Sequence, residues 1–285
     1  MIRNLAKYLT DGAAGLWARS FRMRPSVFIA GFQKCGTTTL YDHLASIPEL
    51  IPGKVKEKND LSFERFSMGQ YLRNFPVKRP GKETLCGSHQ LTYFPDGLPR
   101  LKEHFPDARV IVIMRDPVDR AFSLYQHNCR RSDDDKWSFR EWVDFELELL
   151  HRMKDIEDPE ELFHRTKWRG REPGSWDIRY KLSTGMNISR GLYYIWLQRM
   201  KELGIDFLPL CLEHYRAQPV KEMQKVLGYL GLPEERAEEL DLSARNIGGY
   251  KNSFEAELEE RLTAFFRPYN EKLFDLIGER YPWRS

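Results

Sequence analysis

Short apolar runs recur along the chain, and several are followed by a stretch with helical spacing. Val27-Phe28-Ile29-Ala30 leads through a glycine-bounded loop, Gly31 to Gly36, into a predicted helix over Thr39–Ser46, with Pro48 beyond it. Thr84–Gln90 reads as a short strand, and Leu98–His104 as a helix ended by Phe105-Pro106. Arg109–Met114 sets an apolar, β-branched run behind one charge, the pattern of a strand buried on both faces. Pro117 then stands where a helix over Val118–Asn128 would begin. Farther on come a helix over Leu192–Leu203, a strand over Phe207–Leu212, a helix over Pro219–Leu230 and a last helix from Glu255 to about Gly278. Strands alternating with helices predict an α/β fold, a central parallel sheet flanked by helices.

The intervening segments break this rhythm. Residues 51–60 read as a polar loop, and Phe63 to Phe75 as an aromatic segment. Between 131 and 190 charge runs alternate with Trp137, Trp142, Trp168 and Trp176, which read as core rather than as sugar platforms. Ser138 followed by Glu141 predicts a capping box opening a helix to about Arg152. Glu172 to Gly185 has little periodicity and reads as a long loop. Residues 1–24 mix apolar and basic positions and are expected to form a helical extension packed on the protein's own surface. Gly12 and Gly15 argue against a membrane-surface helix there. The expectation is therefore one domain over residues 1–285, with a mostly helical insertion at 131–190 that is expected to wall the functional site.

Composition narrows the classes without naming one. A 285-residue chain with 41% hydrophobic residues can bury a sizeable core. A net charge of +3 gives no general pull toward nucleic acid. Cys35, Cys86, Cys129 and Cys211 are scattered without a CxxC pair, which argues against a disulfide framework or zinc site and for a reducing, cytoplasmic setting. His127 and Cys129 alone do not make a metal site. No run of about 18 apolar residues exists to span a membrane.

The loop after the first strand carries the chemistry. A strand, a glycine turn and a helix N-terminus together bind anions through backbone N–H groups and the helix dipole. Gly31 and Gly36 have the Walker A separation, but Thr37 stands where that motif needs lysine, and the lysine lies at position 34, inside the loop. The strand over Arg109–Met114 runs into Arg115, a cation where a metal–triphosphate site needs an acid.

Gly31-Phe-Gln-Lys34-Cys-Gly36-Thr37-Thr38-Thr39-Leu40 resembles the phosphosulfate loop of sulfotransferases that use 3′-phosphoadenosine 5′-phosphosulfate (PAPS). Arg115-Asp-Pro-Val-Asp-Arg-Ala-Phe-Ser123 resembles the 3′-phosphate motif of the same family. Gly191-Leu-Tyr193, Leu212-Glu213 and, loosely, Arg245-Asn-Ile-Gly248-Gly249-Tyr-Lys251-Asn252 are similar to its later half. Lys56-Glu57 and Tyr125-Gln-His127 look most like the carbohydrate, heparan sulfate-type branch. The resemblance implies a P-loop-like sulfotransferase fold and PAPS as co-substrate, with PAP (3′-phosphoadenosine 5′-phosphate) as product and no metal. It implies that Gly36, Thr37, Thr38 and Thr39 hold the 5′-phosphate, Lys34 meets the leaving oxygen, and Arg115 and Ser123 hold the 3′-phosphate. Tyr193, Arg245, Gly248, Gly249 and Lys251 follow as further nucleotide contacts. Arg120, in the same motif, reads as a structural ion-pair residue rather than a ligand.

Transfer to a hydroxyl or amine also needs a proton acceptor. Glu57 is the first candidate by resemblance to the carbohydrate branch. His89 is the rival, in a Gly87-Ser88-His89 setting where the cytosolic branch carries Lys-Thr-His. The expected acceptor is a small polar molecule or a glycan, with no nucleic-acid or membrane partner. A P-loop small-molecule kinase and an inactive nucleotide-binding scaffold are the alternative readings.

Overall fold

The computed structural model describes residues 20–63, 66–130, 138–167, 187–243 and 255–284. Among them, β1 (Val27–Ile29), β2 (Leu50–Glu57), β3 (Glu83–Gly87), β4 (Arg109–Met114) and β5 (Phe207–Cys211) form one parallel sheet in the order β2-β3-β1-β4-β5. The connection from β1 runs to one side of the sheet and the chain leaving β4 runs to the other. The topological switch point, where open parallel sheets bind ligands, therefore lies between the carboxyl ends of β1 and β4. Both strands are buried throughout their apolar length, as their uninterrupted Val and Ile content requires.

Helices cover the sheet. In chain order they are α1 (Thr37–Ala45), α2 (Met68–Leu72), α3 (Gly97–His104), α4 (Pro117–Cys129), α5 (Phe139–His151), α6 (Pro159–Lys167), α7 (Tyr193–Glu202), α8 (Leu212–Ala217), α9 (Pro219–Tyr229) and α10 (Ala256–Ile277). The apolar face of α10, with Leu258, Leu262, Phe266 and Leu273 buried, packs on α7. The predicted capping box is present: the Ser138 and Glu141 side chains and backbone N–H groups exchange bonds at the start of α5. Trp142 is in the core, while Trp137, Trp168 and Trp176 lie outside the described residues, as does the stretch 172–185. Of the N-terminal extension only its end is described, where Arg22 forms an antiparallel bridge to Val77.

One expectation is overturned. Residues 51–57 are not a polar loop but most of β2, the edge strand beyond β3. Its register with β3 is interrupted between Pro52 and Glu57, and Asn74 takes over as partner across that gap. The Asn74 carbonyl accepts from Lys54 N (2.8 Å), its Oδ1 accepts from Val55 N (2.9 Å), and its Nδ2 donates to the Val55 carbonyl (3.1 Å). One asparagine thus substitutes for a strand neighbour, so an exposed edge with Pro52 and Gly53 stays extended without an apolar pattern. The structure also adds α8, which begins at Leu212 directly from β5.

Three of the cysteines, Cys35, Cys86 and Cys211, are buried in this core. Burial pushes the Cys35 thiol up to about 11 and the Cys86 thiol up to about 12, from an ordinary value of 9.0. Above pH 9 the unfolded chain releases protons that the folded chain keeps. Stability is therefore expected to fall as pH rises from about 9 to about 11, by about 1.4 kcal/mol per pH unit for each thiol. Urea melts across that range measure the slope, and Cys86→Ala should flatten it.

Candidate active site

Every strand of a parallel sheet ends on the same edge, and here that edge gathers the chemistry. The loop after β1 begins at Gly31, where an added Cβ would stand 2.9 Å from the Ile113 carbonyl oxygen of β4. Only glycine lets the two strand ends approach that closely. Within the loop Lys34 has φ 72° and Gly36 φ 85°, both left-handed. Among the described residues Lys34 is the only non-glycine in that region, a conformation that costs about 1–2 kcal/mol for an L-residue. α1 then starts at Thr37, with no side-chain cap on its N-terminus and no acidic residue in its first turn. The positive end of α1, with Lys34 beside it, is built to meet an anion.

The helix after β4 is finished differently. Asp116 caps α4, accepting from Val118 N (2.9 Å) and Asp119 N (3.1 Å). That N-terminus is consumed internally, and the cation of this second loop is a side chain, Arg115, nearly buried and 3.3 Å from Asp119 Oδ2. Ser123 lies two turns along α4 and is buried. The hydroxyl of Tyr193 donates to the Arg115 carbonyl (2.8 Å) and touches Cys35 Sγ (3.5 Å), and the Tyr193 ring lies 4.6 Å from that of Phe32. Tyr193, expected as a nucleotide contact, is a buried joint beneath both loops with its hydroxyl donating to the backbone. Arg120, expected in a structural ion pair, is fully buried and donates to the Asn187 carbonyl, a backbone oxygen.

On the other side of β1 the two rival proton acceptors meet. β2 ends at Glu57, which pairs with Gly87 at the end of β3, and His89 follows two residues later. His89 Nδ1 lies 3.0 Å from Glu57 Oε2, an ion-pair contact, with the histidine the more buried partner. Ser88 anchors the turn between them by donating its hydroxyl to Asn59 Oδ1 (2.9 Å). Two contributors escaped sequence reasoning. Lys56 donates to the Thr38 hydroxyl of α1 and lies 3.9 Å from Glu57. Arg190, buried over the Tyr93 ring, donates to Gln33 Oε1 (2.8 Å) and so pins the loop from below. Arg190 sits in no spacing motif, and the Lys56-Glu57 pair marked a family branch without giving the lysine a contact of its own.

The structure thus brings Lys34, Gly36, Thr37, Thr38, Thr39, Glu57, His89, Arg115 and Ser123 to the carboxyl edge of the sheet and the helices that leave it. Arg245, Gly248, Gly249 and Lys251 lie outside the described residues. Among the described residues no three His, Cys, Asp or Glu side chains group as a metal site. A shallow cleft beside Phe105, Asp107 and Tyr229 lies at the amino ends of β4 and β5, the edge away from these loops.

Comparison with known proteins identifies the family and the fold. A family model described as a sulfotransferase domain matches residues 24–247. Human carbohydrate sulfotransferase 15 is 25% identical over 94% of the chain and 56% of its own length. Human bifunctional heparan sulfate N-deacetylase/N-sulfotransferase 3 is 32% identical over 42% of the chain and 15% of its own length. The chain therefore spans about half, or less, of the length of these relatives. A sulfotransferase from Alicyclobacillus acidocaldarius superposes with a TM-score of 0.65 at 25% identity, covering 90% of this chain and 97% of that one. Mouse sulfotransferase SULT7A1, solved in complex with PAP, superposes with a TM-score of 0.50 at 15% identity, covering 90% of this chain and 88% of that one, a likeness of fold.

The left-handed Lys34 gives a direct check of the loop. Lys34→Gly removes the Cβ strain and is expected to leave stability unchanged or raise it by up to about 1 kcal/mol in urea melts, because glycine takes that conformation freely.

Proposed function

The chain belongs to the sulfotransferase family, and on that premise we propose that it carries a sulfuryl group from PAPS to a hydroxyl or amine of a carbohydrate or small polar molecule. The observation that carries this reading is the contrast between two adjacent helix starts. α1 is left without a side-chain cap beside Lys34, while α4 is capped by Asp116 and offers Arg115 instead. A donor with two separate anionic groups, a 5′-phosphosulfate and a 3′-phosphate, fits such a pair of loops. The PAP held by a protein of the same fold supports that choice, and the names of the relatives support a carbohydrate acceptor.

Sulfuryl transfer asks for positioning and for charge stabilisation rather than for covalent help from the protein. In this reading the backbone N–H groups at Gly36, Thr37 and Thr38 hold the 5′-phosphate, with Thr39 in the same turn. Lys34 meets the bridging oxygen, where negative charge grows as its bond to sulfur breaks. Arg115 and Ser123 receive the 3′-phosphate. Glu57 takes the acceptor's proton. His89, whose Nδ1 lies 3.0 Å from Glu57 Oε2, is the neighbour that positions it. The relative exposure of the pair supports this order, because the more accessible Glu57 is the one an acceptor reaches.

Two measurements test the proposal. PAP at 100 times its Kd is expected to stabilise the chain by about 2.7 kcal/mol, seen as a melting temperature raised by several degrees. ATP with Mg²⁺ should do much less, and the reverse order would favour a kinase. With labelled PAPS and a panel of sugars and desulfated heparan oligosaccharides, Glu57→Gln should lower kcat by about 100-fold or more. His89→Asn, which keeps an N–H donor, should lose less than His89→Ala. A His89→Ala loss larger than that of Glu57→Gln would make the histidine the base.

A further inference from the structure

Lys56 enters the sequence reading only as the residue before Glu57, yet its ammonium sits between the two ends of the proposed reaction. It is the penultimate residue of β2, at the carboxyl edge of the sheet. Its Nζ donates to Thr38 Oγ1 in the first turn of α1 and lies 3.9 Å from Glu57 Oε1. The phosphate end of the donor belongs to that turn and the proton-accepting end to Glu57. A group that touches both borders the short path along which sulfur must move.

The surroundings are arranged for this position. The neighbouring β3 ends in Gly87, where an added Cβ would come within 3.1 Å of the Lys56 carbonyl oxygen and 3.6 Å of its Cγ. With glycine there, the Lys56 stem lies over the end of β3 and reaches α1. The Tyr41 ring stands 5.8 Å from the ammonium, and the side chain is 22% exposed. Burial lowers the lysine's proton affinity while Glu57 and Asp42 act against that loss. A partly desolvated ammonium interacts more strongly with a nearby anion than one in bulk water. Lysine has three N–H donors, and Thr38 takes one of them. By accepting from Lys56, the Thr38 hydroxyl is also turned to donate its own proton to an anion.

We infer that Lys56 is a second catalytic cation, holding the oxygens of the sulfuryl group in transit while Lys34 meets the oxygen it leaves. The inference rests on the proposed transfer from PAPS. In the step, the bond between sulfur and the bridging oxygen breaks and its electron pair stays on the phosphate of PAP. The acceptor oxygen or nitrogen forms the new bond to sulfur, and its proton passes to Glu57. The charge on the three sulfuryl oxygens stays near Lys56 throughout, which also brings the anionic donor and the carboxylate base together without mutual repulsion.

The test compares chemistry with binding, using PAPS, PAP and water as the simplest acceptor. PAP release from PAPS is followed with and without the sugar panel, and PAP affinity by calorimetry. Lys56→Gln is expected to lower kcat by about 100-fold, the scale of removing one preorganised charge donor, with PAP affinity changed by less than about 3-fold. Lys56→Arg, which keeps the charge, should stay within about 10-fold of the parent chain. Unchanged PAP affinity shows at the same time that the variants are folded. Turnover unchanged in Lys56→Gln overturns the role. Equal losses in kcat and in PAP affinity overturn it too, making Lys56 a nucleotide-binding residue. If the unsubstituted chain neither binds PAP nor consumes PAPS, it is the proposed function that fails, a result read without any variant.

Discussion

The pairing of β1 with β4 is the constraint on which the rest of the site depends. Val27 to Ile29 run in register with Arg109 to Ile111, and Gly31 then passes so close to Ile113 that no side chain fits between the strand ends. Two loops that are about 80 residues apart in the chain are thereby forced to leave the sheet side by side, since parallel strands direct all their carboxyl ends to one edge. Any residue larger than glycine at 31 would push the loops apart, and with them the cations at 34 and 115.

Below the two loops a single buried hydroxyl joins them. Tyr193 bonds the Arg115 carbonyl and contacts Cys35, while the tilted Trp283 ring lies 5.6 Å from its own and donates to Glu213 Oε2 (3.0 Å). Glu213 in turn accepts from Asp116 N (3.2 Å), and Arg284 bonds both Asp116 (3.1 Å) and Asp119 (2.8 Å). The carboxylate that caps α4 and the one that faces Arg115 are therefore both held from the last turn of the described chain. Each buried bond contributes only about 1 kcal/mol to stability, but breaking one strands a polar partner in the core, which costs more. The result is a rigid floor, against which a left-handed Lys34 can be maintained.

The wall of the site on the β3 side has a different origin. β2 owes its extended shape to Asn74 as much as to β3, and it delivers Lys56 and Glu57 to the sheet edge next to α1. Glu57 and the glycine loop thus come from successive β–α units, and Lys56 ties them. Glu57 and His89, which looked like competing answers to one question, are in contact and can share the work.

The sequence by itself determined the sheet class, most helices, the glycine loop and the Arg115 turn, because each is a local pattern. A β-branched run, a proline at a helix start, a serine with glutamate three residues on and a lysine inside a glycine loop all state their structure within a few residues. It could not determine β2, whose partner Asn74 is about 20 positions away and whose edge position removes the apolar signal. Nor could it determine that Tyr193 is a joint, that Arg120 serves a carbonyl, or that Lys56 reaches Thr38. Those facts follow from which strand ends lie next to which, and only the tertiary structure decides that. Strand order is fixed by packing across the whole sheet, and no stretch of the chain carries it alone.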